Sequence, residues 1–366
     1  MSDRTVGVGI VGTGFARTTQ IPCFQSTPGI EVVGIMSRNM TRAYDLAQEF
    51  SLRRAFDDLE RMLGVDEIEL IVVSSPPHLH LPQTLAALRA GKHVLCEKPT
   101  ALHAGEALEM WHAGQAAGRL HLIDHELRLH PRRIRMREMI AEGFIGTPTL
   151  VEHHMHGPFR LDTARAWSWW SDVAQGGGAL GALGSHAVDA IRCLLGEFVE
   201  VRGRLVTVVK ERPDPETGEA RAVTSDDDAA LWGRLENGAE VSLRLAAAMR
   251  DDPSSSIAIH GAKGSLRLDE KGPLLARVHG ATAWSEVPCD DLPPVPEGSK
   301  VPETPWARAF LLYAAAIRDT LRAGKTTLPG AATFEDGWRN QRVLDAARES
   351  AKRGDWVAVD AMGPHA

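Results

Sequence analysis

Residues 6–14 read VGVGIVGTG, and this stretch indicates the fold of the first third of the chain. A short apolar run at 6–11 ends in the turn Gly12-Thr13-Gly14, the pattern of a buried parallel strand that enters a tight turn. Glycines let the backbone approach phosphates closely, and the start of the following helix attracts anions. The stretch therefore predicts a first strand that ends in a dinucleotide cradle, with an ordinary glycine-rich turn as the alternative.

The rest of the first third alternates strand-like and helical patterns. Strand-like runs lie at 31–36, 70–73, 93–96 and 121–123, and helical patterns lie at 41–50, 80–90 and 101–117. This alternation requires crossover connections, which predict a mostly parallel sheet with helices on both faces. We expect an α/β Rossmann dinucleotide-binding domain over residues 1–124.

The second part of the chain has a different pattern, in which strand-like segments follow one another. They lie at 149–156, 199–209, 229–235, 240–248, 256–260 and 264–268. We expect a C-terminal α/β domain over residues 125–366 with an open, mostly antiparallel sheet that serves substrate binding and oligomerisation. Two segments, 211–228 and 288–305, are polar or proline-rich and predict surface excursions without ladder hydrogen bonds. The helices after about residue 305 are expected to pack back on the Rossmann domain.

Composition excludes several classes of protein. A length of 366 residues exceeds what one core usually organises, and 43% apolar with 24% charged residues is typical of a globular protein. The formal net charge of −7 argues against nucleic acid as a partner. Four widely spaced cysteines fit reduced thiols, and no stretch predicts export or a membrane span. The expected location is the cytoplasm.

The candidate cofactor site begins at the glycine turn. It comprises Gly12, Thr13, Gly14, Phe15 and Ala16. Arg17 stands where the third small residue of the usual fingerprint is expected, so Ala16 takes over the close packing. At the end of the second strand Ser37-Arg38-Asn39 lacks the carboxylate that accepts ribose hydroxyls in NAD sites. Arg38 suits a 2′-phosphate, which favours NADP over NAD, although an arginine also stacks over adenine in either cofactor.

Two further segments combine permissive backbone with ionisable groups. The first is GKHVLCEKPT at 91–100, which places Lys98 directly after the fifth strand, at the carboxyl edge where open α/β sheets bind ligands. The second is GGGALGALGSHAVDAI at 176–191, which predicts a helix with His186 and Asp189 one turn apart. His186 is either an acid/base near neutral pH or a histidine that packs in the core.

Together these motifs resemble the Gfo/Idh/MocA oxidoreductases. The resemblance rests on GIVGTG at 9–14, Ser75-Pro76 with His80, Glu97-Lys98-Pro99, Arg128 with Pro131, and the glycine run followed by His186-x-x-Asp189. It implies that Lys98 contacts the nicotinamide ribose and the substrate hydroxyl, and that His186 exchanges the proton that accompanies hydride transfer. It also implies a homodimer or homotetramer. The implied cofactor contacts beyond the turn are Ser37, Arg38, Ser75, Pro76, His80, Glu97 and Lys98, and the implied substrate contacts are Arg128, His156, Trp169 and Trp170.

The chain departs from the family pattern at two positions. Many active members carry an aspartate four residues before the histidine, where this chain has Ala182. His186 would then need Asp189, Asp172 or Asp162 as its carboxylate partner. An arginine that often follows the tryptophan ahead of the glycine run is replaced by Ser171.

Other groupings are less specific. His153-His154-x-His156 puts alternate imidazoles on one face of a strand, but no carboxylate lies at ligand spacing, so we predict no metal site. Trp167, Trp169 and Trp170 either wall a sugar pocket or pack in the core. The two tyrosines of the chain are not followed by lysine four residues on, which excludes a short-chain dehydrogenase pair.

The preferred function is an NAD(P)-dependent dehydrogenase or reductase that acts on the CH–OH group of a sugar, cyclitol or related polyol. Two alternatives remain open. One is an enzyme that retains its cofactor and cleaves a glycoside through transient oxidation, and the other is a non-catalytic dinucleotide-binding regulator.

Overall fold

A computed structural model describes residues 4–361, which form two compact units. The first unit contains the described residues up to Ala101, then Glu106–His130 and Leu292–Trp338. The second contains Leu102–Gly105, Pro131–Asp291 and the described residues from Arg339 onward.

The first unit is built on a six-stranded parallel sheet. Its strands are β1 (Val6–Val11), β2 (Ile30–Met36), β3 (Arg54–Phe56), β4 (Leu70–Val73), β5 (His93–Cys96) and β6 (His121–Ile123). They lie in the order β3-β2-β1-β4-β5-β6, so the order reverses between β1 and β4. All neighbours are parallel, with Val8 opposite Val32 on one side and Leu70 on the other. The predicted Rossmann sheet is confirmed.

Nine α-helices occur within residues 4–361. They are α1 (Ile21–Gln25), α2 (Met40–Glu49), α3 (Leu59–Leu63), α4 (His80–Arg89), α5 (Ala104–Ala117), α6 (Pro131–Ala141), α7 (Ser185–Leu195), α8 (Pro305–Arg322) and α9 (Phe334–Arg353). Helices α1 and α7 are each preceded by a π-helical turn, at Ala16–Gln20 and Leu180–Gly184. An asparagine and a threonine cap two of the longer helices, because Asn39 accepts from Arg42 N and Thr304 accepts from Ala307 N.

Helix α8 belongs to the core of the first unit. Its apolar face buries Phe310, Tyr313 and Ile317 in the same cluster as Val8 and Phe24. The Phe24 and Phe310 rings meet edge to face at 5.2 Å. The Tyr313 hydroxyl donates to the carbonyl of Ile123 at 3.0 Å, so the one polar atom of this buried ring has a partner.

The second unit contains a nine-stranded sheet and a small hairpin. The strands are β7 (Pro148–His156), β8 (Phe198–Val206), β9 (Glu211–Pro213), β10 (Ala220–Ala222), β11 (Asp228–Leu235), β12 (Glu240–Ala246), β13 (Ser254–Gly261), β14 (Gly264–Asp269), β15 (Leu274–Val278), β16 (Ser285–Glu286) and β17 (Val357–Ala358). The large sheet has the order β16-β15-β14-β13-β7-β12-β11-β8-β17. Only the β7 and β12 pair within it is parallel, so the predicted open, mostly antiparallel sheet is confirmed as a mixed one.

The prediction for segment 211–228 was wrong. Strands β9 and β10 pair there in an antiparallel ladder, with Arg212 opposite Arg221. Arg212 is fully buried and donates to the carbonyls of Arg160 and Asp162. A polar sequence suggests solvent exposure, but a guanidinium can be buried where backbone carbonyls accept from its two terminal nitrogens, even though Arg212 Nε has no partner among the described residues. The second predicted excursion, 288–305, contains no strand, and α8 begins at its last residue.

Candidate active site

The two glycines of the turn after β1 differ in their surroundings. Gly12 has a φ of +109°, and a Cβ at this position would lie 2.3 Å from the carbonyl oxygen of Ser74. Gly14 is exposed, and a Cβ there would meet nothing within 4 Å. Gly12 is therefore required by the fold, whereas Gly14 leaves open space in front of the helix start. This space, bordered by amides at the start of a helix, fits a dinucleotide pyrophosphate.

The helix after the turn shows how the chain does without the third small residue. Ala16 is fully buried in the core of the first unit. Arg17 points outward and pairs with Glu49 at 2.8 Å. The π-helical turn Ala16–Gln20 starts at this point. Ala16 therefore makes the close helix-to-sheet packing.

The end of β2 carries Ser37, Arg38 and Asn39. The Ser37 side chain accepts a weak hydrogen bond from Asn39 N at 3.3 Å, and Asn39 caps α2. Arg38 is exposed. No carboxylate follows β2 at these three positions, so a guanidinium is the charged group next to the strand end.

His80 joins the two loops that follow β4 and β5. One ring nitrogen lies 2.8 Å from the carbonyl oxygen of Ser75, and the other lies 3.1 Å and 3.2 Å from those of Pro99 and Thr100. The ring is 0% exposed. Burial lowers the His80 pKa to about 4, although its backbone hydrogen bonds act in the opposite direction. The structure therefore places His80 between backbone carbonyls of both loops, and the single N–H of the neutral ring donates to one loop while the ring contacts the other.

Glu97 and Lys98 follow β5 but have different surroundings. Lys98 is half-buried, and the peptide bond to Pro99 is cis. Glu97 is buried and accepts from the side-chain amide of Gln20 at 2.8 Å. The same amide nitrogen donates to Asp124, the residue directly after β6, at 2.9 Å. The sequence analysis did not identify Gln20 or Asp124. Asp124 could have been found, because it is a carboxylate directly after a parallel strand, and that strand neighbours the one that Lys98 follows.

Arg128, expected to contact substrate, forms an ion pair in the first unit. Its guanidinium lies 3.0 Å from the carboxylate of Asp336, and its side chain is 9% exposed. This pairing explains why an arginine is stable at a buried position.

In the second unit the glycine run packs against its own neighbours. A Cβ on Gly177 would lie 2.2 Å from the carbonyl oxygen of Trp170. Gly178 has a φ of +116°, and a Cβ there would lie equally close to the carboxylate of Asp226. Asp226 in turn accepts from Leu180 N at 2.8 Å. The glycines thus permit the backbone to pass Trp170 and Asp226 at short range.

His186 and Asp189 both lie on α7, as predicted. His186 is 8% exposed. Asp189 is buried and accepts from the side-chain amide of Asn340 at 3.0 Å, and Asn340 accepts from Arg192 at 2.7 Å. Asp189, Asn340 and Arg192 are thus linked through their side chains, and Arg192 also pairs with Glu197 at 2.7 Å.

The other two candidate carboxylates cap turns of their own segments. Asp172 accepts from Ala174 N at 3.0 Å, and Asp162 accepts from Ala164 N at 2.9 Å. These bonds fix the carboxylates within the stretch that precedes the glycine run.

His156 lies on the sheet face opposite α7. The buried Met155 pairs with Leu245, and a Cβ on Gly184, directly before α7, would lie 3.1 Å from the Leu245 side chain. Because side chains alternate along a strand, His154 and His156 point to the other face, where their rings stack at 5.2 Å. The structure therefore does not bring His156 and His186 together.

Trp169 and Trp170 are half-buried and lie 6.0 Å apart. The Trp170 ring packs against the guanidinium of Arg160 at 5.2 Å. One face of the Trp170 ring is therefore covered by a side chain of the protein itself.

Between residues 4 and 361 no group of three or more histidine, cysteine, aspartate or glutamate side chains has a metal-holding arrangement. Over the same range no helix is both long and apolar enough to cross a bilayer.

The chain aligns over nearly its whole length with curated proteins. It is 28% identical over 360 residues to an uncharacterized oxidoreductase of Synechocystis sp., covering 96% of this chain and 95% of the relative. It is 27% identical over 372 residues to the human glucose-fructose oxidoreductase domain-containing protein 2, covering 97% and 94%.

Solved structures show the same fold. An oxidoreductase domain protein from Kribbella flavida superposes with a TM-score of 0.85 at 26% identity, covering 97% of this chain and 99% of the other. A levoglucosan dehydrogenase in complex with NADH and L-sorbose superposes with a TM-score of 0.86 at 24% identity, covering 97% and 99%. The model of an oxidoreductase family with an NAD-binding Rossmann fold matches residues 6–125, and the C-terminal domain model of that family matches residues 134–267. With both of its domains matched, the chain belongs to the Gfo/Idh/MocA family of oxidoreductases.

Proposed function

We propose that this protein is an NAD(P)-dependent dehydrogenase or reductase that acts on the CH–OH group of a sugar, cyclitol or related polyol. The observation that carries the proposal is the open space at Gly14, located at the carboxyl edge of a parallel sheet where its strand order reverses. When bound there, a nicotinamide dinucleotide supplies the hydride acceptor or donor. The sugar ligand of the levoglucosan dehydrogenase supports the polyol class.

The chain's own residues would hold the cofactor in three places. Backbone amides of residues 12–16 would donate to the pyrophosphate. Ser37 and Arg38 would face the adenosine end, and Ser75-Pro76 with Lys98 would face the nicotinamide ribose. His80 acts indirectly, because its ring nitrogens contact backbone carbonyls on both loops.

We further propose a preference for NADP. Arg38 can pair bidentately with a 2′-phosphate, and residues 37–39 contain no carboxylate that would repel this phosphate. The related structures that contain NADH or NAD support the alternative preference. Calorimetric titration with NAD and NADP decides between the two.

Lys98 and His186 would carry the proton chemistry. The ammonium of Lys98 stabilises negative charge that develops on the substrate oxygen. The imidazole of His186 takes the hydroxyl proton during oxidation and returns it during reduction. Asp189 would hold α7 in place through Asn340 and Arg192.

A second candidate function follows from Ala182. This buried residue stands where many family members carry an aspartate, which favours a cofactor-binding regulator without turnover. The glycoside-cleaving alternative remains open as well.

One experiment separates these functions. The purified protein is incubated with a panel of sugars, cyclitols and glycosides together with NAD or NADP, and absorbance at the reduced nicotinamide band is followed. Net formation of reduced cofactor supports the dehydrogenase. Glycoside cleavage without net turnover of cofactor supports the cleaving enzyme, and tight binding without either reaction supports the regulator. Lys98→Ala is the control for chemistry that depends on this site.

A further inference from the structure

A buried pair of carboxyl groups lies next to Lys98 at the carboxyl edge of the parallel sheet. Glu97 follows β5, Asp124 follows β6, and Gln20 comes from the helical turn after β1. Gln20 and Asp124 are 0% exposed and Glu97 is 7% exposed. The Gln20 amide nitrogen donates to Glu97 Oε1 at 2.8 Å and to Asp124 Oδ2 at 2.9 Å, so one NH₂ group bridges the two carboxyl groups.

The contacts of the pair favour one proton on it. Glu97 and Asp124 accept from the same Gln20 amide group, which brings the two carboxyl groups together in the core of the first unit. Two ionised carboxylates have only acceptors, so neither can donate to the other unless one of them is protonated. In addition, Asp124 Oδ1 is buried and has no donor partner within residues 4–361. Two like charges bridged by one amide group in a buried environment are also unfavourable, and the usual result is one shared proton.

The surrounding groups favour the same state. Burial raises the pKa of Asp124 well above its usual range, and the charges of Glu97 and Glu126 add to the effect. Burial also raises the pKa of Glu97, while the charge of Lys98 acts in the opposite direction. Burial raises the pKa of Cys23 to about 12 and that of Cys96 well above the usual range, so both neighbouring thiols stay neutral. The positive charge of Lys98 therefore acts on Glu97.

We propose that Glu97 and Asp124 share one proton at neutral pH and that their single remaining negative charge keeps the neighbouring Lys98 ammonium charged and in position. Glu97 also holds the Lys98 backbone, because its Oε2 accepts from Lys98 N at 3.2 Å. The two carboxyl groups are therefore positioning residues for Lys98. Their effect on catalysis rests on the proposed dehydrogenase function, whereas their shared proton does not.

The shared proton can be detected without any activity. In the wild-type protein without cofactor, we expect the infrared carbonyl band of a neutral carboxyl group to persist at about pH 8, where ordinary carboxyl groups are fully ionised. This band should disappear in Asp124→Asn and persist in Asp45→Asn, which removes an exposed carboxylate of α2. Absence of the band from the wild-type protein would overturn the proposal.

Thermal unfolding gives a second measure. Asp124 keeps its proton in the folded state but loses it on unfolding at neutral pH, so wild-type stability falls as pH rises above the unfolded carboxyl pKa of about 4. The stability of Asp124→Asn does not fall with pH in this way, because asparagine carries no titratable proton. Between about pH 5 and pH 8 the variant should therefore gain roughly 5 °C or more in Tm relative to wild type. A difference that stays constant with pH, as expected for Asp45→Asn, would contradict the shared proton.

The link to Lys98 is tested by labelling. The rate at which an amine reagent such as acetic anhydride modifies Lys98 is read by mass spectrometry at neutral pH, because only the free amine reacts. Glu97→Gln removes the fixed negative charge, so Lys98 should label about tenfold faster than in the wild-type protein. Asp124→Asn leaves the charge on Glu97 and should label at nearly the wild-type rate. Equal rates in Glu97→Gln and wild type would refute the role toward Lys98, whether or not the panel of substrates reveals a dehydrogenase.

Discussion

Substitutions of Gly12 and Gly14 should separate folding from cofactor binding. Gly12→Ala places a Cβ 2.3 Å from the Ser74 carbonyl oxygen at a φ of +109°. Neither the short contact nor the positive φ can be accommodated by alanine without backbone movement. Strain of this kind costs about 1–3 kcal/mol, and the steric overlap adds to it, so we expect a loss of about 2–4 kcal/mol. For a domain of this size the melting temperature should fall by roughly 5–15 °C.

Gly14→Val is the matched control at the same turn. Its side chain enters open space and has no positive φ to strain, so the change in stability should stay within about 0.5 kcal/mol, or roughly 2 °C. The same side chain fills the room for the pyrophosphate. Loss of one charge-assisted hydrogen bond, worth about 1.5–3 kcal/mol, weakens binding by a factor of about 10 to 100.

The assay pairs differential scanning calorimetry of the protein without cofactor with calorimetric titration of NAD and NADP. Wild-type affinity for both dinucleotides in a folded Gly14→Val protein would refute the cradle assignment. A Gly12→Ala protein as stable as wild type would refute the steric argument at Ser74.

Three more predictions concern single side chains. Arg38→Ala should reduce the preference for NADP in calorimetric titration, and a wild-type protein that binds NAD more tightly would overturn this expectation. Lys98→Ala and His186→Ala should each lower kcat by roughly 100-fold with little change in Tm, whereas a destabilised His186→Ala protein with normal turnover would assign His186 to packing. His80, whose pKa is lowered to about 4 by burial, stays neutral in the folded state while the unfolded histidine is protonated below about pH 6.5. The contribution of neutral His80 to the free energy of unfolding is therefore fully present above pH 6.5 and is lost as the pH falls toward 4. The loss amounts to about 3 kcal/mol in total. A His80→Gln protein whose acid unfolding profile matches that of the wild type would contradict this.

Much of the first unit could be predicted because its signals are local. A buried parallel strand is a continuous apolar run, and β1, β4, β5 and β6 begin and end where those runs do. The edge strand β3 was missed, because Arg54–Phe56 is short and partly exposed and so has no apolar run. The position of Lys98 at the carboxyl edge follows directly from the end of β5.

Contacts between distant segments could not be predicted in this way. The sequence shows that His80 lies near Ser75 but not that its ring contacts the carbonyls of Pro99 and Thr100. Likewise, the amide that bridges Glu97 and Asp124 belongs to Gln20, which is more than seventy residues away in the chain. The hairpin of β9 and β10 was missed for a related reason, since Arg212 is buried only because distant carbonyls accept its hydrogen bonds.

The sequence alone was sufficient to predict the alternation of strands and helices, the glycine turn and the motifs that mark the family, because periodicity and turn chemistry depend on neighbouring residues. The three-dimensional structure was needed to show which glycine is required by folding and which leaves room for a ligand, and to place His156 and α7 on opposite faces of one sheet. It also decided that Glu97 faces another carboxyl group. Burial, and the protonation state that follows from burial, depend on every segment packed around a group, and a linear pattern does not contain that information.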